Sequence, residues 1–448
     1  MRNSEHIVQL LQGYSSLVCI EDGRTSYTYN RLLDEVELWK TRLGAIGVKP
    51  GTVVGVMADH SIFSVAVLLA LIAYRAITAL IPRGFNPQQC LIDAGAGVFL
   101  EVSDNGAYSS QMLEHESHHA VLDQLRAAGD GGIVIFTSGS TGRPKAALHS
   151  AERFLLKFKS PKRRFRTLAF LLFDHIAGLD TLLYTLTSGG TAVITRRRDP
   201  HSVLSIIELR RVQVLPVSPS FLRLLCRTSD IDRYDLSSLK IITYGSEPMD
   251  PATLDRLNVL FPHVQISQKY GSTEIGSPRS ISRGNNSLWM KLKNDGVEVR
   301  VVDNVLWIRS DNAILGYLNA ESPIDRDGWY CTGDLVDVDG EWIRFRGRKS
   351  DIINVGGHKV VPAEIEQVIL ELTFVVATMV VGEPHALLGE VVVAHVVLAS
   401  PNIDTKEALR KVRLHCLQRL AKHKIPMRLD VATKCLTTDR HKMSRLRV

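Results

Sequence analysis

The stretch IVIFTSGSTGRPKAALHS, residues 133–150, joins an apolar run to a loop of small hydroxyl residues and glycines. Ile133 to Phe136 are apolar and mostly β-branched, which predicts a buried strand. The loop offers hydroxyls, one cation and backbone N–H groups that can form a nest for an anion. The residues that supply these groups are Thr137, Ser138, Gly139, Ser140, Thr141, Gly142 and Lys145. The pattern predicts a phosphate-binding loop, with a surface turn that binds nothing as the alternative.

This loop differs from the common P-loop, G-x-x-x-x-G-K-[ST]. Counted from Gly139, the second glycine of that pattern should fall at position 144, and Pro144 stands there. The phosphate loop is therefore expected to be of another type.

Length and composition predict a globular protein of two or more domains, because the chain has 448 residues, 45% hydrophobic and 23% charged. The net charge of +7 is too small to indicate a nucleic acid partner, but it suits anionic ligands such as nucleotides. Two basic clusters, at 157–166 and 196–198, are interpreted as solvated loops. The alternative is a positive rim for a phosphate-bearing thiol.

The cysteine pattern and the N-terminus bear on the compartment. Six cysteines stand apart with no C-x-x-C pair, which argues against a disulfide scaffold or a zinc site and indicates a reducing compartment. We expect no signal peptide and a cytoplasmic protein. The apolar stretch 61–82 contains Arg75, so we interpret it as a helix buried in an α/β core, with no membrane insertion.

Strand-like and helical patterns alternate through the first three quarters of the chain, which predicts α/β layers with mainly parallel sheets. At 337–353 an Asp-Gly pair between alternating residues predicts a hairpin. The patterns in the last hundred residues predict a helix, two strands and a second helix, in that order. We expect an N-terminal domain over residues 1–349 and a small C-terminal α+β domain over 350–448.

The stretch HESHH, residues 115–119, matches the H-E-x-x-H pattern of zinc proteases. Its flank at 105–114 is polar and loop-like, and no third ligand follows at a useful spacing. We therefore interpret it as a histidine-rich loop.

Five further motifs carry the chemistry: ITYGSEPMD at 242–250, SQKYGSTEIGS at 267–277, GWYCTGDLVDVDGEW at 328–342, FRGRKSDIINVGGHKVVPAEIE at 345–366 and TTDRHKMSR at 437–445. In this order and at these distances the chain resembles the adenylate-forming enzymes, which include acyl- and aryl-CoA synthetases, adenylation domains of nonribosomal peptide synthetases, and luciferases. The resemblance covers nearly the whole chain. It implies that a carboxylate attacks the α-phosphate of ATP and that a thiol then displaces AMP.

The resemblance also implies roles for single residues. The loop at 137–145 would hold the β- and γ-phosphates and then the leaving pyrophosphate. The adenine would lie against Tyr270, in a site that also includes Gly245, Ser246, Glu247, Gly271 and Ser272. Thr273 would contact the α-phosphate, and Glu274 would coordinate Mg²⁺, a hard ion that prefers oxygen ligands.

Asp334 would bind both ribose hydroxyls, since a carboxylate can accept two hydrogen bonds, and Arg348 would make a second ribose or phosphate contact. Lys442 would reach the reacting carboxylate during adenylation. It follows His441 where the family usually has glycine, and an exposed tail lysine is the alternative.

A hinge is expected near Ser350, where the family often has aspartate, because the small domain of the family rotates between the two half-reactions. Gly356 and Gly357 would let a loop approach the thiol arm closely. His175 would face the carboxylate, with a core histidine as the alternative. The acid-pocket candidates are Ser218, Pro219, Ser220, Gly245 and Ser267.

Asp174 stands two residues out of register for the aspartate with which amino-acid-activating domains bind the substrate ammonium. The leading hypothesis is therefore an ATP- and Mg²⁺-dependent acid–thiol ligase acting on a fatty or aryl acid. No carrier segment follows Val448, so the expected acceptor is CoA or the phosphopantetheine arm of a separate carrier protein. Amino acid activation for a discrete carrier protein, and a non-catalytic nucleotide-binding relative, remain the alternatives.

Overall fold

A computed structural model describes residues 2–114, 119–137, 143–293, 295–400 and 402–432. The strands up to residue 268 are β1 (Val18–Asp22), β2 (Thr25–Thr28), β3 (Val53–Ala58), β4 (Ile77–Leu80), β5 (Val98–Val102), β6 (Tyr108–Met112), β7 (Gly132–Thr137), β8 (Lys145–Ser150), β9 (Arg166–Ala169), β10 (Thr191–Ile194), β11 (Val214–Val217), β12 (Ile241–Tyr244) and β13 (Gln265–Gln268).

The later strands are β14 (Ser280–Ser282), β15 (Met290–Leu292), β16 (Val297–Val302), β17 (Val305–Ser310), β18 (Gly316–Tyr317), β19 (Trp329–Asp339), β20 (Trp342–Arg348), β21 (Ile353–Val355), β22 (His358–Val360), β23 (Val375–His385), β24 (Gly389–Leu398) and β25 (Arg428–Val431). The helices are α1 (Asn3–Gln12), α2 (Tyr29–Ile46), α3 (Ile62–Ala73), α4 (Pro87–Ala94), α5 (Ala120–Ala127), α6 (Ala151–Leu155), α7 (Ile176–Thr187), α8 (Pro200–Arg210), α9 (Pro219–Leu225), α10 (Pro251–Leu260), α11 (Pro362–Leu370) and α12 (Thr405–Arg419).

The first sheet has the strand order β13-β12-β11-β9-β10-β1-β2 and is parallel except at its β1–β2 edge. The chain runs from β9 to β10 on one side and then to β11 on the other side of β9. The strand order therefore reverses at β9 and β11. Ligands of open α/β sheets bind beyond the carboxyl ends of the strands at such a reversal, which predicts where this sheet places a site.

The second sheet has the order β18-β8-β7-β4-β3-β5-β6. Its inner strands are parallel, whereas β8, β18 and β6 pair antiparallel at the edges. One apolar core unites α1, α2, α3 and α7 with faces of both sheets. The α/β layers predicted from the sequence are confirmed.

Helix α3 and strand β4 together form the apolar stretch at 61–82. Residues Ser64 to Ile72 of the helix are all buried, and the chain continues into the buried strand β4 after a turn at Arg75, whose φ is +56°. The expected burial in the α/β core is confirmed, but the stretch is a helix followed by a strand and not one helix. Among the described residues, no helix is long and apolar enough to cross a membrane.

The third sheet, β14-β15-β20-β19-β17-β16, is antiparallel throughout. It contains the predicted hairpin, since Asp339 at the end of β19 pairs with Trp342 at the start of β20, and Gly340 and Glu341 form the turn between them. The fourth sheet, β22-β21-β24-β23 with β25 against β24, packs on α11 and α12. This small α+β unit matches the expected class, and the boundary at residues 349 and 350 stays a prediction.

One expectation was wrong. The flank at 105–114 was expected to be a loop, but β6 occupies half of it as an exposed edge strand paired with β5. The side chains of β6 face water because the strand lies at the edge of the sheet. The strand is therefore polar in composition, and its sequence resembles that of a loop. Residues 115–118 of the HESHH stretch lie outside the described residues.

Candidate active site

The predicted adenine-binding segments leave two neighbouring strands at the same edge of the first sheet. Gly245 follows β12 and Tyr270 follows β13, and these strands pair in parallel. A Cβ at Gly245 would lie 2.6 Å from the carbonyl oxygen of Lys269, so only glycine fits this approach. The next residue, Ser246, has a φ of +69°, a conformation that non-glycine residues adopt uncommonly. The chain is therefore bent sharply where the base is expected.

Tyr270 and Asp334 are joined directly. The Tyr270 hydroxyl donates to Asp334 Oδ2 at 2.7 Å, and the Tyr270 ring stacks on Phe345 with centroids 4.7 Å apart and planes 14° from parallel. Burial raises the pKa of Tyr270 well above its usual value, so the phenol keeps its proton. The side chains predicted to hold the base and the ribose thus form one unit.

Arg348 completes this unit. Asp334 on β19 and Arg348 at the end of β20 are register partners, and Arg348 Nε donates to Asp334 Oδ1 at 3.2 Å. Burial raises the pKa of Asp334, while the Arg348 charge and the Tyr270 hydrogen bond oppose the shift. Both carboxylate oxygens have protein partners, and each retains a lone pair with which it could accept a ribose hydroxyl.

A tight turn carries the next predicted residues. The Ser272 N–H donates to Gly276 O at 3.2 Å, and a Cβ at Gly271 would lie 2.7 Å from that same oxygen. The Ser272 hydroxyl oxygen is buried and has no hydrogen-bond partner in the described part of the chain. A buried polar atom of this kind calls for a partner, which a bound phosphate or ribose could supply.

Thr273 and Glu274 follow in the same turn and are 6% and 9% exposed. Glu274 Oε1 accepts the Tyr317 hydroxyl at 2.6 Å. No group of three or more His, Cys, Asp or Glu side chains within the described ranges could hold a metal ion by itself. A lone carboxylate fits Mg²⁺ nonetheless, since proteins commonly hold this ion with one or two carboxylates and the phosphates of the substrate.

The phosphate loop is framed by two paired strands. Thr137 ends β7 and Lys145 begins β8, and the two residues are register partners. The Lys145 Nζ lies 5.1 Å from the centroid of the Tyr317 ring, a cation–π distance. Five predicted loop residues lie outside the described residues, namely Ser138, Gly139, Ser140, Thr141 and Gly142. Lys442 and its neighbour His441 lie outside them as well.

The segments predicted to surround the acid lie at the strand reversal of the first sheet. His175 precedes α7 in the loop after β9, and Ser218 directly follows β11. A Cβ at Gly178 would lie 1.9 Å from Leu172 O, so the bend between β9 and α7 requires glycine there. The topology therefore brings His175 and the 218–220 segment to one crevice.

The serine side chains proposed for the acid pocket form hydrogen bonds with other groups of the protein. Ser218 Oγ caps α9 by accepting from the Phe221 N–H at 3.2 Å, and Ser267 Oγ accepts from the Gln265 side chain at 3.1 Å. Ser220 donates through both its N–H and its hydroxyl to Glu247 Oε2, at 3.2 and 2.6 Å. Glu247 is thus a link between the segments after β11 and β12.

The basic clusters do not form one rim around the site. Arg163 and Arg164 line a groove with Lys240 at the amino ends of β9 and β12, opposite to the edge that carries Gly245. In the second cluster Arg196 pairs with Asp22 and Asp104, and Arg197 with Asp199. The interpretation as solvated loops fits these arginines. It does not fit Lys157, which lies in the 3₁₀ helix Leu156–Phe158, is 22% exposed and pairs with Asp180.

Arg198 differs from its neighbours. Its Nε donates to Phe170 O at 2.9 Å, in the loop that leads to Asp174 and His175. Burial lowers the pKa of Arg198, and the negative charges of Asp59 and Asp174 oppose that shift. The negative charge of Asp174 therefore interacts with the positive charge of Arg198.

The predicted hinge and thiol loop lie on exposed turns. Ser350 is in the short 3₁₀ turn Lys349–Asp351 between β20 and β21, where its hydroxyl donates to Asp351 Oδ1 at 3.0 Å. Gly356 and Gly357 form the turn between β21 and β22, with φ values of +55° and +86°. Both glycines occupy the left-handed region, as a tight exposed turn requires.

Sequence reasoning missed three residues that the structure brings to the site: Phe345, Tyr317 and Asn319. Tyr317 meets Glu274 across 43 residues, and Asn319 meets Pro144 across 175 residues. No periodicity or spacing rule connects partners so far apart. The short run GYLN at 316–319, in which an aromatic and an amide side chain flank Leu318, was the only local signal.

Comparisons with known proteins agree on the fold. Residues 10–318 match the family model described as AMP-binding enzyme, and residues 364–442 match the model of the AMP-binding enzyme C-terminal domain. The chain is similar to a solved anthranilate CoA ligase in complex with anthranoyl-AMP, with a TM-score of 0.85, 21% identity and coverage of 99% of this chain and 95% of that one.

Two curated relatives are similar in sequence. A feruloyl-CoA synthase of Amycolatopsis is 28% identical over an alignment of 469 positions, gaps included, that covers 95% of this chain and 94% of the relative. The 4-coumarate–CoA ligase 4 of Arabidopsis thaliana is 28% identical over an alignment of 342 positions that covers 68% of this chain and 60% of that enzyme.

Proposed function

Since this chain belongs to the AMP-binding enzyme family, we propose that it is an ATP-dependent ligase that joins a fatty or aryl carboxylic acid to the thiol of CoA. The observation that carries the proposal is the cluster of Tyr270, Asp334 and Arg348, which unites an aromatic face, a carboxylate and a cation at the carboxyl edge of the first sheet. These groups suit a base, a ribose and a phosphate.

In the first half-reaction an oxygen of the acid attacks the α-phosphorus of ATP, the bond between the α- and β-phosphates breaks, and pyrophosphate leaves. Lys145 supplies a cation beside the loop that would receive the phosphates, and Lys442 would offset charge at the transition state. When bound, Mg²⁺ supplies a Lewis acid that neutralises phosphate charge. Glu274 is the residue that would hold it.

In the second half-reaction the thiol sulfur attacks the acyl carbon, the acyl–phosphate bond breaks, and AMP leaves. The turn at Gly356 and Gly357 is the segment that we assign to the thiol arm, because it combines exposure with an absence of side chains. A rotation about the segment at Ser350 would bring this turn to the site.

Three observations support a non-amino acid substrate and CoA as the acceptor. Asp174 stands two residues out of register for an ammonium-binding aspartate, and its negative charge opposes the fall in pKa that burial imposes on the Arg198 guanidinium. His175 stands at the strand reversal, where an acid would be held. The relatives are named for coumarate and feruloyl groups and for CoA.

The test is acid-dependent exchange of pyrophosphate into ATP, over a panel of aryl, fatty and amino acids with Mg²⁺, followed by chromatography of the products after CoA is added. We expect an aryl or fatty acid to drive exchange and to yield its CoA thioester. Exchange with amino acids alone would favour activation for a carrier protein. ATP binding without exchange for any acid would contradict the proposal and favour a nucleotide-binding relative.

A further inference from the structure

Residues 314–319 connect two parts of the candidate site that belong to different parts of the chain. The backbone N–H groups of Leu315 and Leu318 donate to carbonyl oxygens of β8 at 2.7 and 2.8 Å, so the segment extends the second sheet beside the end of the phosphate loop. At its start, the Ile314 N–H donates to the carbonyl oxygen of Glu274 at 2.9 Å. We call residues 314–319 the bridging segment.

The side chain of Tyr317 also connects the Glu274 turn with the end of the phosphate loop. It is 5% exposed, and its hydroxyl donates to Glu274 Oε1 at 2.6 Å. Its ring lies 5.1 Å from the Lys145 Nζ. One buried side chain therefore contacts both the predicted metal carboxylate and the predicted phosphate cation.

Asn319 fixes the exit of the phosphate loop. Its Oδ1 accepts from the Ala146 N–H at 2.9 Å, and its Nδ2 donates to Pro144 O and to Asp93 Oδ2, each at 2.9 Å. The amide thus holds the two residues that flank Lys145. A rigid frame of this kind is what a preorganised phosphate site requires.

We propose that Tyr317 is a positioning residue for the adenylation site: its hydroxyl orients the Glu274 carboxylate toward a divalent metal ion, and its ring fixes Lys145 at a set distance from that carboxylate. The role of Tyr317 in adenylation rests on the proposed function. The expected effect of Tyr317 on metal binding by Glu274 does not depend on which acid is the substrate. Loss of a partner that orients a metal ligand commonly lowers metal affinity or activity by about 10- to 100-fold.

The hydroxyl and the ring make separate contributions, which substitutions can distinguish. Tyr317→Phe removes only the hydrogen bond to Glu274 and leaves the ring beneath Lys145. We expect it to raise the metal concentration needed for half-maximal binding by about 10-fold, the size usual for loss of a partner of a metal ligand. Tyr317→Leu also removes the aromatic face, so we expect it to weaken ATP binding in addition.

The experiment measures Mn²⁺ binding to the protein–ATP complex by electron paramagnetic resonance, with no acid present, and then the Mg²⁺ midpoint of pyrophosphate exchange. Tyr234→Phe is the control, because it removes a phenol hydroxyl whose partner is His201. Circular dichroism and thermal unfolding of each variant verify that it is folded. We expect both metal midpoints to rise in Tyr317→Phe while the KM for ATP at saturating Mg²⁺ stays within about 2-fold of the wild type.

An unchanged Mn²⁺ affinity in folded Tyr317→Phe would overturn the inference, and so would a change confined to the KM for ATP. Failure of the proposed function is distinguishable from this outcome. If no acid drives exchange in the wild type, the Mn²⁺ measurement on the protein–ATP complex still tests whether Tyr317 orients Glu274.

Discussion

The Tyr270 hydroxyl donates to Asp334 Oδ2 at 2.7 Å, across 64 residues of sequence. Two residues with separate predicted roles, one against the base and one against the ribose, therefore support each other before a nucleotide binds. The stacked Phe345 ring and the Arg348 side chain complete this cluster. A change in one member should thus weaken nucleotide binding through the others.

Tyr270→Phe tests this coupling, because it keeps the ring and removes only the hydroxyl. We expect the KM for ATP and the dissociation constant of ATP to rise about 10-fold, since a hydrogen bond to a charged group is commonly worth 1.5–3 kcal/mol. Calorimetric titration with ATP and initial rates of pyrophosphate exchange measure both. An ATP affinity equal to that of wild type would mean that Asp334 needs no support from Tyr270.

Lys442→Ala should separate binding from chemistry. A cation that acts mainly on the charge developed during adenylation affects the rate far more than ground-state ATP affinity. We expect pyrophosphate exchange to fall by about 100-fold or more, while the dissociation constant of ATP changes by less than about 3-fold. The matched control is Lys406→Ala on the exposed side of α12. Loss of ATP binding in step with exchange would contradict the assigned role.

Gly245→Ala should distort the bend after β12. The added Cβ would lie 2.6 Å from Lys269 O, a backbone atom that moves only with the strand. We expect a loss of about 1–3 kcal/mol in the free energy of unfolding, as for other overpacked sites, together with a higher KM for ATP. Urea unfolding and pyrophosphate exchange measure the two effects.

Gly84→Ala is the control for that substitution, since no described heavy atom lies within 4 Å of a Cβ at Gly84. Equal stability losses in the two variants would show that close packing at Gly245 is not the cause.

Removal of one partner from the ion pair of Arg223 and Asp250 should destabilise the protein strongly, because the other charge stays buried. The side chains are 9% and 3% exposed, the Arg223 Nη2 lies 2.9 Å from Asp250 Oδ2, and Asp250 also caps α10. Asp250→Ala leaves a buried guanidinium without its partner, and we expect the free energy of unfolding to fall by about 3–5 kcal/mol.

Urea unfolding measures this loss, and Asp235→Ala is the comparison. Asp235 pairs with Arg211 where both side chains are about half exposed, at 51% and 53%. Solvent screens such a pair, so we expect little change in stability there. A small effect at Asp250 would mean that water reaches Arg223 in the variant.

Acidification should destabilise the protein through two buried histidines. Burial lowers the pKa of both His60 and His149 from 6.5 to about 4. Between these values the unfolded chain binds protons that the folded chain does not, so stability is complete above pH 6.5 and is lost as the pH falls toward 4. Each histidine should then contribute a loss of up to about 3 kcal/mol.

Urea unfolding at several pH values from 7.5 to 4.5 measures this dependence in the wild type and in His60→Asn. We expect a flatter pH dependence in that variant, because it lacks the buried imidazole of His60. An equal slope in the two proteins would show that the His60 imidazole takes up a proton without unfolding.

Local patterns were sufficient to predict several elements of the fold. The apolar run at 133–136 became β7, the alternation around Asp339 and Gly340 became the β19–β20 hairpin, and the apolar stretch at 61–82 became α3 and β4. The spacing of apolar residues along one helix or strand indicates which of its sides is buried. This spacing can be read from residues that are close together in the sequence. The same reasoning failed at β6, where an edge strand exposed to water has the composition of a loop.

The sequence by itself determined the α/β class, the family, and the residue types available to the site. Short motifs and their order along the chain are sufficient to indicate each of these. Only the tertiary structure decided that Asp334 accepts from both Tyr270 and Arg348, that Ser220 binds Glu247, and that Tyr317 connects Glu274 with Lys145. The physical reason is that strand order in the sheets brings together side chains that lie tens of residues apart. Their contacts depend on register and burial, which no local pattern records.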